Sequence, residues 1–119
     1  MLHERLLALF GGAAGLRDAG LLESALSRPR QRLAYASESS IFDLAAAYVA
    51  GVVGNHPFVD GNKRTAFIIG VLFLELNGYA FCADEEEAAE AVFALARGDW
   101  DEQAYAAFLA ANARKTEAP

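Results

Sequence analysis

Nine consecutive apolar residues, Ala66 to Leu74, lie inside a helical pattern that runs from Asn62 to Asn77. A run that is apolar around its whole circumference predicts a helix that is buried on all sides. It is less than half as long as the roughly 20 residues that a membrane span needs. Asn77 and Gly78 after it are a typical helix end. We therefore expect the other helices to pack around this one.

Most of the remaining chain also carries helical patterns, separated by turn residues. Apolar residues recur at helical spacing, and Asp18 and Asp84 stand where helix caps are expected. The predicted segments are Leu2–Phe10, Asp18–Leu26, a further piece from Pro29 to Tyr35, Ile41–Val53, Asn62–Asn77, Asp84–Arg97 and Asp101–Ala113. We predict an all-α fold, a compact bundle of about six helices around a central buried helix.

The length and composition indicate one domain. A chain of 119 residues that is 55% hydrophobic and 22% charged is long enough for one core and too apolar to be disordered. We expect a single domain over residues 1–119, without internal repeats. Ser37–Ser40 should be an exposed, uncapped loop, and Tyr79–Cys82 a brief extended piece. The tail from Lys115 should be frayed.

The charge and the single cysteine limit the functional classes. A net charge of −6 argues against a general nucleic-acid binder, which needs a basic surface, although a local basic site for a nucleotide remains open. Cys82 cannot form an internal disulfide, which fits a reducing compartment. No signal-peptide pattern is present. We expect a soluble cytoplasmic protein that contacts neither membranes nor nucleic acid directly.

The stretch HPFVDGNKRT, from His56 to Thr65, precedes the apolar helix and opens it. The first N–H groups of a helix lack intrahelical partners, and the helix dipole makes that end attractive to phosphates. Gly61 lets the backbone approach a ligand closely. Lys63 and Arg64 add full positive charges at the same end. The pattern predicts a phosphate-binding site.

The other polar residues of the stretch suggest what the site does. Asp60 would repel phosphate unless Mg²⁺ lay between them, and magnesium prefers few carboxylates together with phosphate oxygens and water. Asn62 could bond a phosphate oxygen or hold the shape of the loop. Histidine is the side chain that most often acts as a general base at neutral pH, so His56 is the candidate base. Singly, each residue is more simply explained as structural; together they indicate a phosphate-binding site with a base.

HPFVDGNKRT resembles the motif of the Fic/Doc superfamily, His-Pro-Phe-x-Asp/Glu-Gly-Asn. It is most similar to the Doc branch, the death-on-curing toxins of bacterial and phage toxin–antitoxin modules. The similarity continues through GLRDAGLLESALSRPRQRLAY and KRTAFIIGVLFLELNGY and covers about residues 3 to 82. The resemblance implies a compact bundle of about six helices, in agreement with the helical patterns. Relatives carry residues before His3, which leaves two alternatives: a truncated first helix, or a natural start that differs from residue 1.

Two positions distinguish the branches of the superfamily. Typical Fic adenylyltransferases have Gly-Asn-Gly-Arg, followed three residues later by a second arginine. This chain has Lys63 in place of the second glycine and Phe67 in place of the second arginine. A phenylalanine cannot bind phosphate. The resemblance therefore implies a kinase of the Doc type, which transfers the γ-phosphate of ATP to a protein hydroxyl; in the best-described member this is a threonine of elongation factor Tu, and translation stops.

The resemblance also implies a role for each residue of the motif. His56 would be the catalytic base and Asp60 the magnesium ligand. The contacts to the nucleotide phosphates would come from Gly61, Asn62, Lys63 and Arg64. The self-inhibitory pattern of many Fic proteins, Ser/Thr-x-x-x-Glu, is absent. We therefore expect inhibition by a cognate antitoxin.

Alternatives remain open at this point. The same pocket could transfer AMP, as in Fic adenylyltransferases, or the chain could be a non-catalytic antitoxin-binding module. A basic run, Arg28, Arg30 and Arg32, is expected to be a solvated helix face more often than a binding surface.

Overall fold

A computed structural model describes residues 15–36 and 38–116. This part of the chain forms five helices and two short strands. In chain order they are α1 (Ala19–Tyr35), α2 (Ile41–Asn55), α3 (Asn62–Leu76), β1 (Tyr79–Phe81), α4 (Glu85–Arg97), α5 (Glu102–Ala111) and β2 (Ala113–Lys115). The all-α fold class is confirmed, and the predicted helix Leu2–Phe10 lies outside the described residues. In the two described ranges, no helix combines the length and the apolar content that crossing a bilayer requires.

The central helix of the bundle is α2, not α3 as predicted. α2 packs against α1, α3, α4 and α5. It has buried small residues, including Ala45–Ala47 and Gly51, and these let several neighbours approach closely. α3 buries only one stripe, and Ile68 and Leu76 are 48% and 56% exposed. The prediction of a helix buried on all sides was wrong, because hydrophobicity does not determine how many elements pack on a helix.

Pro29 lies inside one continuous helix and does not begin a new one as predicted. Proline lacks the N–H that would bond the carbonyl four residues earlier, which is that of Ala25. Gly51 of α2 lies against this carbonyl, and a Cβ at position 51 would come within 2.8 Å of the Ala25 oxygen. The absence of a side chain at Gly51 therefore sets how closely α1 and α2 cross.

β1 and β2 form a two-stranded antiparallel sheet. Tyr79 lies opposite Lys115, and Phe81 lies opposite Ala113. The predicted extended piece at Tyr79 is confirmed, but the second strand was not predicted. α5 ends at Ala111, and Lys115 belongs to a strand rather than to a frayed tail. A strand of three residues is too short to show a periodic pattern in the sequence. It is stabilised by pairing with β1, which is distant in sequence.

Four of the five described helices begin with a side-chain cap. Asp18, Asp84 and Asp101 each accept a hydrogen bond from the backbone N–H three residues later. Ser40 does the same at α2 and forms a reciprocal capping box with Asp43, so the prediction of an uncapped loop was wrong at this residue. Side-chain caps satisfy N–H groups that otherwise have no partner. α3 begins at a glycine and has no side-chain cap.

Two arginines of the basic run connect α1 to α5. Arg28 and Arg32 both form ion pairs with Glu102, the latter with 2.9 Å between Arg32 Nη1 and Glu102 Oε2. The Glu102 side chain is only 16% exposed. The side chains of Arg28 and Arg32 remain 47% and 32% exposed, so the predicted solvated face holds in part, but both also bind a partly buried carboxylate on a neighbouring helix.

Candidate functional site

The candidate site begins where α2 ends. His56 caps the C-terminus of α2 in a left-handed conformation, with φ 49° and ψ 57°. Within the described part of the chain it is the only non-glycine residue with positive φ. Such a conformation is uncommon for a residue with a Cβ. The backbone turns sharply here, and His56 is exposed while the following Pro57 and Phe58 are buried. Phe58 belongs to the hydrophobic core and anchors the loop there.

Asn62, the first residue of α3, holds this loop from the inside. Its Oδ1 accepts a hydrogen bond from the Phe58 N–H at 3.0 Å, and its Nδ2 donates to the Phe58 carbonyl at 2.9 Å. The side chain is 8% exposed. Of the two roles considered for Asn62, these contacts support holding the loop. A contact between Asn62 and phosphate stays a prediction.

Asn62 also lies next to the imidazole of His56. Its two bonds to Phe58 fix the orientation of the amide, so an N–H group faces His56 Nδ1 at 3.5 Å. This distance is at the upper limit for a hydrogen bond, and the contact is therefore weak. It favours the neutral tautomer in which Nδ1 accepts and Nε2 carries the proton.

The start of α3 lies directly after this loop. Gly61 has φ +74°, a left-handed value that glycine adopts without strain. Its N–H donates to Asp60 Oδ1 at 2.8 Å, and its carbonyl accepts the first helical hydrogen bond, from Thr65 at 2.9 Å. The backbone N–H groups of residues 62 to 64 therefore have no carbonyl four residues earlier within the helix. They form the positive end of the α3 dipole.

The two predicted cations flank this helix start on exposed positions. A Cβ at Gly61 would lie 3.2 Å from Arg64 Nη2, so the glycine makes room for the Arg64 guanidinium beside the backbone. Lys63 instead extends toward α4, where its Nζ lies 5.2 Å from the centroid of the Phe93 ring. A cation above an aromatic face is stabilised by the ring quadrupole. Lys63 is thus held by α4, while Arg64 stays at the helix start.

A cleft of about 490 Å³ opens between the start of α3 and α4. Lys63 and Arg64 lie on one wall, and Val92 and Phe93 lie on the other. Phe67 also lines the cleft and packs against Phe81 with 5.5 Å between ring centroids. The position where Fic adenylyltransferases have a second arginine therefore presents an apolar ring here.

Asp60 is the carboxylate of the site, and it is exposed. Residues 15–36 and 38–116 contain no group of three acidic, histidine or cysteine side chains that could hold a metal ion. A magnesium ion at Asp60 would need most of its ligands from phosphate oxygens and water, which is how this ion is commonly bound beside nucleotides. The donor set fits magnesium that arrives with a nucleotide better than a resident metal.

One residue of the site was missed in the sequence. The guanidinium of Arg17 donates to the backbone carbonyls of Asn55 and His56, with distances of 2.6 to 3.2 Å. The only sequence signal was that Arg17 lies in the GLRDAG stretch shared with the family. Nothing in its neighbours along the chain indicates a contact with a histidine 39 positions away.

Known proteins resemble this chain over most of its length. The sequence pattern described as the Fic/DOC family matches residues 1–74. A protein of Escherichia phage P1 named "Protein kinase doc" is 34% identical over 98 residues, which are 82% of this chain and 77% of the relative. A protein of Mycolicibacterium smegmatis named "Toxin Doc" is 39% identical over 105 residues, covering 85% of this chain and 80% of the relative.

Proposed function

Since the chain belongs to the Fic/DOC family, we propose that it is a Doc-like toxin that transfers the γ-phosphate of ATP to a serine or threonine hydroxyl of a protein target. Two relatives, one named as a kinase and one as a toxin, support the class. The observation that carries the proposal is the start of α3. It has no side-chain cap, unlike the other four described helices, and it follows directly on the loop that bears His56.

In this proposal the start of α3 binds the polyphosphate of ATP. The backbone N–H groups of residues 62 to 64 donate to phosphate oxygens, helped by the helix dipole. Arg64 adds a planar guanidinium that can bind two oxygens at once, and Lys63 adds a point charge after leaving Phe93. Gly61 allows the close approach of backbone and phosphate.

Asp60 would hold the magnesium ion that accompanies ATP. When bound, the ion would neutralise phosphate charge and relieve the repulsion between this carboxylate and the nucleotide. Asp60 Oδ1 already accepts the Gly61 N–H, which fixes the carboxylate beside the helix start. The carboxylate is therefore oriented before the nucleotide arrives.

His56 would act as the general base. The hydroxyl of the target gives its proton to a ring nitrogen, its oxygen forms a bond to the γ-phosphorus, and the bond from that phosphorus to the β-phosphate oxygen breaks to release ADP. For uptake at Nε2, the ring must carry its own proton on Nδ1. The 3.5 Å contact with Asn62 opposes that tautomer only weakly.

AMP transfer is the main alternative, and Phe67 argues against it. A second cation at that position is typical of the Fic adenylyltransferases, and here an aromatic ring packs on Phe81 instead. A non-catalytic module is the other alternative. The exposed His56, the oriented Asp60 and the uncapped α3 argue against it, because binding an antitoxin needs none of them.

The proposed partners follow from the class. A Doc-like toxin is held inactive by a cognate antitoxin. We propose elongation factor Tu as the first target to test and the cytoplasm as the place of action. Purified elongation factor Tu should therefore be phosphorylated in the presence of ATP and Mg²⁺.

One experiment separates the three activities. The purified protein is incubated with a bacterial lysate and with ATP labelled at either the α- or the γ-phosphorus. Label transferred to protein from the γ position alone supports the kinase, label from the α position alone supports AMP transfer, and no label supports the module. The variant His56→Ala should abolish transfer, whereas Arg97→Ala, which removes an exposed arginine of α4, should not.

Expression in bacteria provides a cheaper test of the toxin class. Growth should stop when the wild-type protein is expressed and continue when His56→Ala is expressed to the same level. Arrest that is equal for both proteins would contradict a toxicity that depends on catalysis.

A further inference from the structure

A short segment before α1 lies against the loop of the candidate site. We call Gly15–Asp18 the strap. Leu16 forms a β-bridge with Phe58, and the Val59 N–H donates to the Gly15 carbonyl at 2.8 Å. The N–H groups of Arg17 and Asp18 both donate to the Pro57 carbonyl, at 2.7 and 3.1 Å. The strap therefore holds the loop from the side opposite to Asn62.

The side chain of Arg17 adds a second set of bonds to the same region. Its Nε and Nη2 donate to the His56 carbonyl at 2.9 and 2.6 Å, and Nη2 also donates to the Asn55 carbonyl at 3.2 Å. These carbonyls belong to the C-terminus of α2, where the helix dipole is negative and acceptors lack helical partners. A cation with several donors is well suited to this position.

These hydrogen bonds hold His56, whose backbone conformation is the least favourable in the site. His56 has φ 49°, and a left-handed conformation is costly for a residue with a Cβ. Such conformations persist where the surrounding structure fixes them. Arg17 fixes the peptide plane that follows His56, and the Val52 carbonyl accepts the His56 N–H at 3.1 Å. The direction of the imidazole depends on this backbone geometry.

We propose that Arg17 is a positioning residue, which holds His56 in its left-handed conformation and so directs the imidazole toward the start of α3. Arg17 acts through the backbone of His56 and not on the substrate. The expected effect of Arg17 on phosphate transfer rests on the proposed function, whereas its expected effect on the conformation of His56 does not.

Two substitutions of Arg17 distinguish the effect of its positive charge from the effect of its planar guanidinium. Arg17→Lys keeps the positive charge but loses the planar group that reaches two carbonyls at once. Arg17→Ala loses both. If Arg17 only balanced the dipole of α2, lysine would be a full replacement. If it positions His56, lysine should restore the geometry only in part.

The test compares the wild-type protein with Arg17→Lys, Arg17→Ala and the control Arg97→Ala. Nuclear magnetic resonance measures the backbone carbon shifts of His56, which report its left-handed conformation, and the tautomer of its ring. We expect these signals to change in Arg17→Ala, to change partly in Arg17→Lys and to stay unchanged in Arg97→Ala. Should Arg17→Ala not fold, Arg17→Lys alone decides, since unchanged His56 signals in it overturn the inference.

The second readout is γ-phosphate transfer under saturating target. Displacing a catalytic base by about 1 Å costs on the order of 10²-fold in rate, so kcat of Arg17→Ala should fall by about 10- to 100-fold. The KM for ATP should stay within about twofold of the wild-type value, because the contacts that bind ATP are unchanged. A rise in KM that accounts for the whole loss would mean that Arg17 binds the nucleotide, and would overturn the inference. If the wild-type protein transfers no phosphate, the proposed function fails, and the His56 signals still decide the role of Arg17.

Discussion

Replacing Gly51 by alanine tests how α1 and α2 pack. A Cβ at this position would lie 2.8 Å from the Ala25 oxygen, 2.9 Å from Arg28 Cδ and 3.1 Å from Ala25 Cα. Two of these three atoms belong to the backbone of α1, which can move only if the two helices separate. Overpacking of this kind costs about 1–3 kcal/mol. The helix propensity of alanine returns about 0.5–1 kcal/mol, so we expect a net loss of about 1–2 kcal/mol in the free energy of unfolding.

Gly54 provides a matched control in the same helix. It is exposed, and apart from its chain neighbours and the adjacent backbone of its own helix, no heavy atom of the described residues lies within 4 Å of an added Cβ. Gly54→Ala should therefore stabilise the protein by about 0.5–1 kcal/mol through propensity alone. The difference between the two variants removes the propensity effect and leaves the packing cost, about 1–3 kcal/mol.

The assay is urea unfolding followed by far-ultraviolet circular dichroism. Equal dependence on urea in the three proteins would show that the comparison is between similar native and unfolded states. Gly51→Ala should unfold at lower urea, and Gly54→Ala at higher urea, than the parent protein. A Gly51→Ala variant as stable as Gly54→Ala would refute the account of the α1–α2 contact.

Two further predictions concern a buried hydroxyl and a partly buried carboxylate. The Tyr105 hydroxyl is buried without a hydrogen-bond partner in the described part of the chain, so Tyr105→Phe should raise the free energy of unfolding at neutral pH by about 1 kcal/mol, measured in urea. Burial also raises the pKa of Tyr105 above its ordinary value, so the native state keeps the proton where the unfolded chain has lost it. The free energy of unfolding is therefore unaffected by the titration of this tyrosine below about pH 10 and falls above it by up to about 1.4 kcal/mol per pH unit. The phenylalanine variant should lack this fall. An equal alkaline slope in both proteins would contradict the raised pKa of Tyr105. Glu102→Gln should lower stability by about 1 kcal/mol, because it weakens the contacts of Arg28 and Arg32 with a partly buried acceptor. Asp99→Asn, which removes an exposed ion pair, is its control and should change stability by less than about 0.5 kcal/mol.

Features of the fold that depend on local sequence could be predicted. Asp84 and the Asn77–Gly78 pair were correctly identified as a helix start and a helix end, because capping acts over three or four residues. The loop-to-helix placement of His56 and Gly61 followed from the same local rules. What chemistry the site performs stays a prediction.

Features that depend on distant contacts could not be predicted. The prediction relied on the unbroken apolar run of α3, but the buried small residues of α2 let several helices approach it closely, and α2 is the centre of the bundle. β2 is ordered by pairing with β1. Arg17 bonds carbonyls 38 and 39 positions away, and no local pattern reports such a contact.

The central claim is that the uncapped start of α3 binds the polyphosphate of magnesium-bound ATP beside His56. Amide signals in nuclear magnetic resonance test it residue by residue as Mg·ATP is added. We predict saturable shifts for the amides of Gly61 and residues 62 to 64 and for the His56 ring, but not for the amides at the start of α5, where Asp101 caps the helix. Amides at positions 61 to 64 that stay unmoved, or that shift no more than those of α5, would contradict the claim.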